Sequence, residues 1–274
     1  MPSPDASRAP DSKSCRSRPR PGRRGFLRRT GLAFGSLGSL SSLAGCFDSR
    51  APSDAAAVEA VEASLDALDD VDGYTVDIGG RVEGRARGET VTASLDGEQR
   101  VDETERRAHA LVEADDDREE LYVEDATVYE QCGFSHYSNV DDAWYPAETD
   151  ADWREATLLG SQAELLDISE VYDRGTETRT EGEARVVEFA PAPDEYHEYQ
   201  RRVGVDDEDI QSPDSVTLTQ WLVDDRPVRM RSEVERGSLF GPTVEEEITH
   251  DVTYGPVSIE LPEIVEDEEG CPEP

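Results

Sequence analysis

Four histidines, four cysteines and a single lysine are the residues of this 274-residue chain with most to offer catalysis. His109, His136, His197 and His250 stand far apart, and no H-x-x-x-H or H-E-x-x-H spacing sets two imidazoles on one helical face around a metal. Lys13 is the only lysine, so everything after it lacks both the ammonium of a Walker-type phosphate site and the amine of a Schiff base. No G-x-S-x-G elbow presents a strained serine, and no G-x-G-x-x-G loop cradles a pyrophosphate. Carboxylates are so abundant, 64 Asp+Glu, that no pair of them is diagnostic of acid–base work. Calcium requires oxygen ligands around a tight glycine turn. In the run 113–120 (EADDDREE) Asp115, Asp117 and Glu119 alternate, but Glu120 stands where that glycine belongs. The acidic runs at 206–209, 245–247 and 266–269 read in the same way, as solvated turns and edges. The expectation is a chain with no catalytic residue, no metal and no cofactor, and therefore not an enzyme.

The chemistry that the sequence does spell out lies near its beginning. Residues 1–45 hold nine basic and two acidic side chains, and Arg23-Arg24-Gly25-Phe26-Leu27-Arg28 resembles the twin-arginine export consensus, with Gly22 in place of its Ser/Thr and Arg28 in place of its Lys. Residues 30–44 form an apolar stretch diluted by Gly and Ser, too short for the roughly 20 residues that span a bilayer but suited to a signal-peptide h-region. It ends in Leu43-Ala44-Gly45-Cys46, which resembles the lipobox of bacterial and archaeal lipoproteins. There small residues admit a peptidase, and the Cys46 thiol is alkylated by a membrane lipid. An ordinary short helix with a buried cysteine explains neither the paired arginines nor the abrupt ending. The expected layout is a twin-arginine signal peptide with lipobox over 1–45, a lipidated tether over 46–57 and a folded domain over 58–262. An acidic tail over 263–274 completes it, and the protein sits on the extracytoplasmic face of the cell membrane. Its membrane partner is reached through the lipid on Cys46.

The remainder is strongly acidic. Residues 46–274 carry 18 basic and 62 acidic groups, a net charge of −44 within a chain total of −37. Such a field repels phosphate backbones, which excludes nucleic acid as a partner, and it repels anionic membrane surfaces. Hydrophobic residues make up 35% of the chain, a composition that alone is compatible with disorder; regular apolar alternation argues for folding instead. Acid-rich surfaces with arginine and no mature lysine resemble the proteins of halophiles, in which charge maintains solubility where salt screens ordinary repulsion.

Cys15 leaves with the signal and Cys46 takes lipid, so Cys132 and Cys271 remain as an even pair in an exported chain. A disulfide between them is the favoured reading, with two free thiols or an interchain bond as alternatives. Neither has a spacing that suggests zinc.

The elements follow from periodicity. Val58, Val61, Leu65 and Leu68 share one face of a helix over 55–71, with Ser53 or Asp54 as its cap. From Tyr74 the period becomes two, and glycines at 79–80, 84, 88 and 97 read as turns between short strands of an antiparallel meander. A second helix is expected over 153–166, a hairpin over 171–189, a third helix over 194–203 and three closing strands, with a turn at Asp225-Arg226-Pro227. His250 falls in the apolar register of the last strand, as a core or cavity-rim histidine. Phe134, Tyr137, Trp144 and Tyr145 with Pro146 line a cavity mouth or form core beneath a long loop. The fold class is α+β: one curved antiparallel sheet, an open half-barrel covered by about three helices.

This layout resembles the LolA/LppX-type superfamily of lipoprotein carriers and lipid-binding lipoproteins. Local likenesses are Gly160-Ser161-Gln162-Ala163-Glu164-Leu165-Leu166 in a mid-chain helix, and residues 216–225 running into Arg226-Pro227-Val228-Arg229-Met230. The segment Thr253-Tyr254-Gly255-Pro256-Val257-Ser258-Ile259-Glu260-Leu261-Pro262 resembles the family's closing Tyr-Gly-x-Pro-Val-x-Ile-x-x-Pro stretch, one residue shorter between Gly and Pro. The resemblance covers roughly 55–262 and implies a cavity between sheet and helices that holds a lipid or another apolar ligand. The inward residues Tyr74, Val76, Ile78, Val228, Met230, Val234 and Ile248 would line it. The alternative is an envelope structural or interaction module with a packed core and no ligand, which the same alternation serves equally well.

One consequence of the charge is directly measurable. Circular dichroism followed from molar salt down to dilute buffer is expected to show the domain unfolding as screening is withdrawn. A native spectrum in dilute buffer would overturn the assignment to a salt-adapted proteome.

Overall fold

The computed structural model describes residues 50–86, 88–115, 117–131, 144–148, 153–203, 212–237 and 243–264. Arg23, Arg24, Phe26, Leu27, Cys46, Cys132, Cys271, Phe134, Tyr137 and His136 lie outside the described residues, as do the acidic runs at 206–209 and 266–269. Helix α1 (Ala55–Asp66) continues as a 3-10 turn (Ala67–Asp70) into β1 (Gly73–Ala86), β2 (Glu89–Asp102), β3 (Arg107–Ala114), β4 (Asp117–Glu124), β5 (Thr127–Gln131) and β6 (Trp144–Glu148). A second 3-10 turn (Trp153–Ala156) and α2 (Gln162–Ile168) lead to β7 (Glu170–Thr178) and β8 (Glu183–Ala190). Helix α3 (Pro193–Arg202) precedes β9 (Ser215–Val223), β10 (Arg226–Arg236) and β11 (Thr243–Tyr254).

The strands make one 11-stranded sheet in the order β6-β5-β4-β3-β2-β1-β11-β10-β9-β8-β7, and every paired neighbour is antiparallel. The chain thus starts in the middle, walks to one edge, crosses to the other through α2, and walks back until β11 pairs with β1.

Of the glycines expected to break the meander into short strands, Gly88 does so, with φ +85° between β1 and β2, but the others do not. Gly79, Gly80, Gly84 and Gly97 lie within the 14-residue strands β1 and β2, and none of them has the positive φ of a turn glycine. Gly97 and Gly80 mark close approach instead. A Cβ on Gly97 would meet the Leu111 carbonyl oxygen at 2.6 Å, and one on Gly80 would lie 3.1 Å from Ile248 Cγ1. The turns are built largely by aspartates: Asp115, Asp125, Asp224 and Asp225 all have positive φ, a conformation that their short polar side chains tolerate. The β9–β10 turn therefore falls at Asp224-Asp225, one residue earlier than expected, and Arg226 opens β10. Pro227, which has no N–H to donate, sits at a bulge between Pro227 and Arg229.

The second helix is also shorter than its apolar spacing suggests. Thr157 donates its hydroxyl to the Arg154 carbonyl and accepts from the Gly160 N–H, which closes the 3-10 turn. At Gly160 the chain passes so near Arg154 that a Cβ would fall 2.1 Å from its carbonyl oxygen, so α2 restarts only at Gln162. The residues expected to cap α1 are diverted to the sheet edge. The Ser53 hydroxyl accepts from the Val171 N–H and donates to Glu170, and the Asp54 carboxylate accepts from the Asp173 N–H. With Arg50 paired to Glu195 at 2.9 Å and the Tyr172 hydroxyl donating to the Ala51 carbonyl, the segment before α1 is sewn onto β7, β8 and α3.

Two apolar clusters hold the helices on the concave face. One gathers Leu68, Tyr74, Val76, Val101, Ala108, Leu121, Val123, Trp153, Leu159 and Val252. The other joins Ala57, Ala60 and Val61 of α1 and Leu165 of α2 to Val171, Val187, Phe189 and Leu222. Residues past β11 run the other way, over the convex face: Arg100 donates to the Ser258 carbonyl, Ile259 is buried, and Ile264 bridges Trp144 in parallel.

Arg154 ties the crossover to the first half of the sheet. It donates to Glu103 at the β2–β3 turn and to Asp69 in the first 3-10 turn, and the Glu103 side chain is only 5% exposed. Burial raises the Glu103 pKa against the pull of Arg154. Arg154→Ala leaves that carboxylate unpaired, so urea unfolding in molar salt should show a loss of about 2 kcal/mol; a change below about 0.5 kcal/mol would remove this tie from the picture.

Candidate functional site

Continuous register across β9, β10, β11, β1 and β2 arranges the concave side chains in rungs. One rung runs Gln220, Met230, His250, Ile78, Gly97. The next runs Leu218, Ser232, Ile248, Gly80, Leu95, and a third runs Val216, Val234, Glu246, Val82, Ala93.

The residues named from sequence as cavity lining distribute among these positions. Tyr74 and Val76 have no exposure and belong to the first apolar cluster, with Ile78 and Met230 packed at its edge. Val234 and Ile248 are buried farther along the same face. Val228 is the extra residue of the bulge and is half-buried. Tyr74 donates its hydroxyl to Thr157, and burial pushes its phenol pKa far above the ordinary value. Of the aromatics considered for a cavity mouth, Trp144 lies on the opposite, convex side, edge-on to Tyr122 with centroids 4.8 Å apart.

The interior is less apolar than the alternation suggests. The run 245–247 is not wholly solvated: Glu246 is buried and bonded to Arg236 at 2.9 Å, while its neighbours Glu245 and Glu247 are exposed. Its register between Val244 and Ile248 is the sequence signal for that placement. Above this pair lies α3, whose Tyr196 phenol is raised by burial and further by the Glu246 charge. Gln220, 1% exposed, shares the inward register of Val216, Leu218 and Leu222. It donates to Gln162 Oε1 at 2.7 Å, and Gln162 Nε2 in turn reaches Met230 Sδ at 2.7 Å, so α2 hangs directly over the first rung. Gln99 accepts from the Leu158 N–H at 2.9 Å and holds the segment that leads into α2.

Among the described residues, Gln220 Oε1, His250 Nδ1 and Arg236 Nε on this face carry no hydrogen-bond partner. His250 is half-buried as a residue, but its Nδ1 is closed to solvent. Burial drives its pKa down to about 4, opposed only in part by Asp251. The imidazole therefore sits neutral between Ile78 and Met230. No group of His, Cys, Asp and Glu suited to a metal occurs among the described residues. A separate depression of about 400 Å³, lined by Asp69, Glu103, Arg106, Trp153 and Arg154, lies around the Arg154 tie and includes none of the lining residues named from sequence.

No protein-family model matches this chain. No curated protein sequence matches it either. Among solved structures it is similar to the lipoprotein LppX of Mycobacterium tuberculosis, at 16% identity over 76% of this chain and 100% of LppX, with a TM-score of 0.43. It is also similar to LprF of Mycobacterium bovis, at 14% identity over 78% of this chain and 99% of that one, with a TM-score of 0.38. A DUF1329 family protein from Desulfovibrio piger aligns at 11% identity over 72% of this chain and 91% of that one, with a TM-score of 0.22. These are loose matches of backbone trace.

The buried imidazole has a pH signature. The unfolded chain takes up a proton near pH 6.5 and the folded one only near pH 4, so stability is intact above pH 6.5 and declines as pH falls towards 4. Compared with His250→Phe, the native chain should lose up to about 3 kcal/mol over that window in urea titrations at constant molar salt. Parallel pH profiles for the two chains would refute the assignment.

Proposed function

We propose that this chain is an exported, lipid-anchored envelope protein whose concave sheet face, roofed by α1, α2 and α3, holds a lipid or another apolar ligand. The observation that carries this is the conjunction of Leu43-Ala44-Gly45-Cys46 with a sheet whose apolar side is covered by short helices and not by a second sheet. Twin-arginine export in a salt-adapted cell and anchoring through Cys46 are parts of the same reading; catalysis is not. An acyl chain on such a face would gain about 0.8 kcal/mol for each methylene taken out of water. The tether favours it as well. Arg50 is fixed to the β8–α3 edge, and the run from Cys46 to Arg50 can span at most about 14 Å. The helix-bearing edge would then stand close to the bilayer, within reach of lipid.

A packed scaffold without ligand is the second reading, favoured by the complete burial of Tyr74, Val76 and Val101 against Leu159. A Cys46→Ser form, secreted and purified in molar salt, distinguishes the two. Solvent extraction and mass spectrometry should recover about one lipid per protein. Lipid no higher than in a denatured control would overturn ligand binding and leave the scaffold.

A further inference from the structure

The rung that crosses the middle of the concave face carries two polar atoms with unspent hydrogen-bonding capacity. Gln220 is 1% exposed, uses its Nε2 on Gln162 and leaves Oε1 without a partner. His250, on the far side of Met230 in the same rung, leaves Nδ1 without one. Buried polar atoms in this condition are costly and uncommon, and two on one rung mark a place where something else supplies the partner. We propose that Gln220 and His250 form the head-group site of the concave face and that the group they bind is neutral and rich in hydroxyls, of the glycerol monoether or monoester kind. This deepens the reading of a lipid-binding face and rests on it.

The chemistry selects the class. Gln220 Oε1 can only accept, so the ligand must donate to it. A neutral imidazole offers one nitrogen that accepts and one that donates, and a hydroxyl can meet either. The shift of His250 fits a site that carries no charge of its own. An anionic head would find no cation on this rung, and Arg236, three rungs away along β10, is engaged by Glu246. The two residues are two strands apart, about 10 Å between their backbones, on either side of Met230. Ile248, Leu218 and Ile78 on this and the adjacent rung give an alkyl chain apolar contact.

The test compares three probes on the Cys46→Ser protein in molar salt by native mass spectrometry: 1-O-hexadecylglycerol, its 2,3-di-O-methyl ether, and hexadecyl phosphate. The free diol should bind at least about tenfold more tightly than its dimethyl ether, since the ether has lost every donor, and more tightly than the phosphate. In Gln220→Leu that preference should fall to within about threefold while the ether's affinity stays near that of the parent. His250→Phe, which fills the site without polar atoms, should do the same and serves if Gln220→Leu does not fold. Equal binding of diol and ether by the parent protein would mean that water completes the rung, overturning the head-group site while leaving the lipid-binding face intact. Preference for the phosphate would overturn the neutral assignment. Binding of none of the three would remove the lipid-binding face and this site with it.

Discussion

Pairing of the first strand with the last governs this architecture. From Tyr74↔Tyr254 to Arg85↔Thr243 the two ends of the domain are in one uninterrupted register, and the sheet's centre is therefore its most non-local contact. Once β1 and β11 are neighbours, the outward walk of β2 to β6 and the return from β7 to β10 leave the chain a single long crossing, edge to edge. That crossing carries α2, and it has only the two faces of the sheet to choose between. The apolar residues of β1, β2 and β11, with Val216, Leu218 and Leu222 of β9, point to one of them, so burial places α1, α2 and α3 there. The Arg154–Glu103–Asp69 contacts then fix where along the sheet the crossing begins.

The two faces solve different electrostatic problems. On the convex side, arginines of β1 and β10 meet carboxylates across strands, as in Arg229–Asp251, Arg231–Glu247 and Arg85–Glu245. Each such exposed pair contributes little singly, and screening by salt reduces it further. What they accomplish is to place the scarce positive charges among a large excess of negative ones. On the concave side only one ion pair occurs among the rungs described, Arg236 with Glu246, and the other polar groups there are uncharged amides, hydroxyls and an imidazole held neutral. Those polar groups sit where α2 and α3 meet the sheet, and they orient the helices more specifically than apolar contact could.

The last described residues add a strap on the outside. The backbone carbonyls of Ser258 and Ile259 take hydrogen bonds from Arg100 and Arg107, and the bridge to Trp144 gives the β6 edge a partner. An open sheet has two exposed edges, each a template for unwanted pairing. Here β6 meets the strap, and the other edge, β7, meets residues 51–54. Both ends of the domain thus protect the sheet that their own strands close.

Sequence alone determined the kind and order of the elements except β6, whose Trp144, Tyr145 and Pro146 read as a cavity mouth or as core beneath a loop; hydrophobic period is a local property, and the switch from a 3.6-residue to a 2-residue spacing at Tyr74 identifies helix and strand without reference to anything distant. It also identified the inward face of β1, β9, β10 and β11, Val228 at the bulge excepted, and, as an expectation, the lack of a catalytic constellation. The internal glycines misled, since a glycine required by a close approach, as at Gly97 against Leu111, reads like one required by a turn. The second helix misled for a related reason, its first half being claimed by Thr157 and the passage of Gly160 over Arg154. The polar interior was half visible: Glu246 and Gln220 stand in register with apolar neighbours, but a charged or amide residue in such a register is equally the mark of an exposed strand. Only tertiary structure decided which, by bringing Arg236 to Glu246 and Gln162 to Gln220. Partners for buried polar groups come from remote parts of the chain, and no local pattern encodes a hydrogen bond closed across 58 residues of sequence.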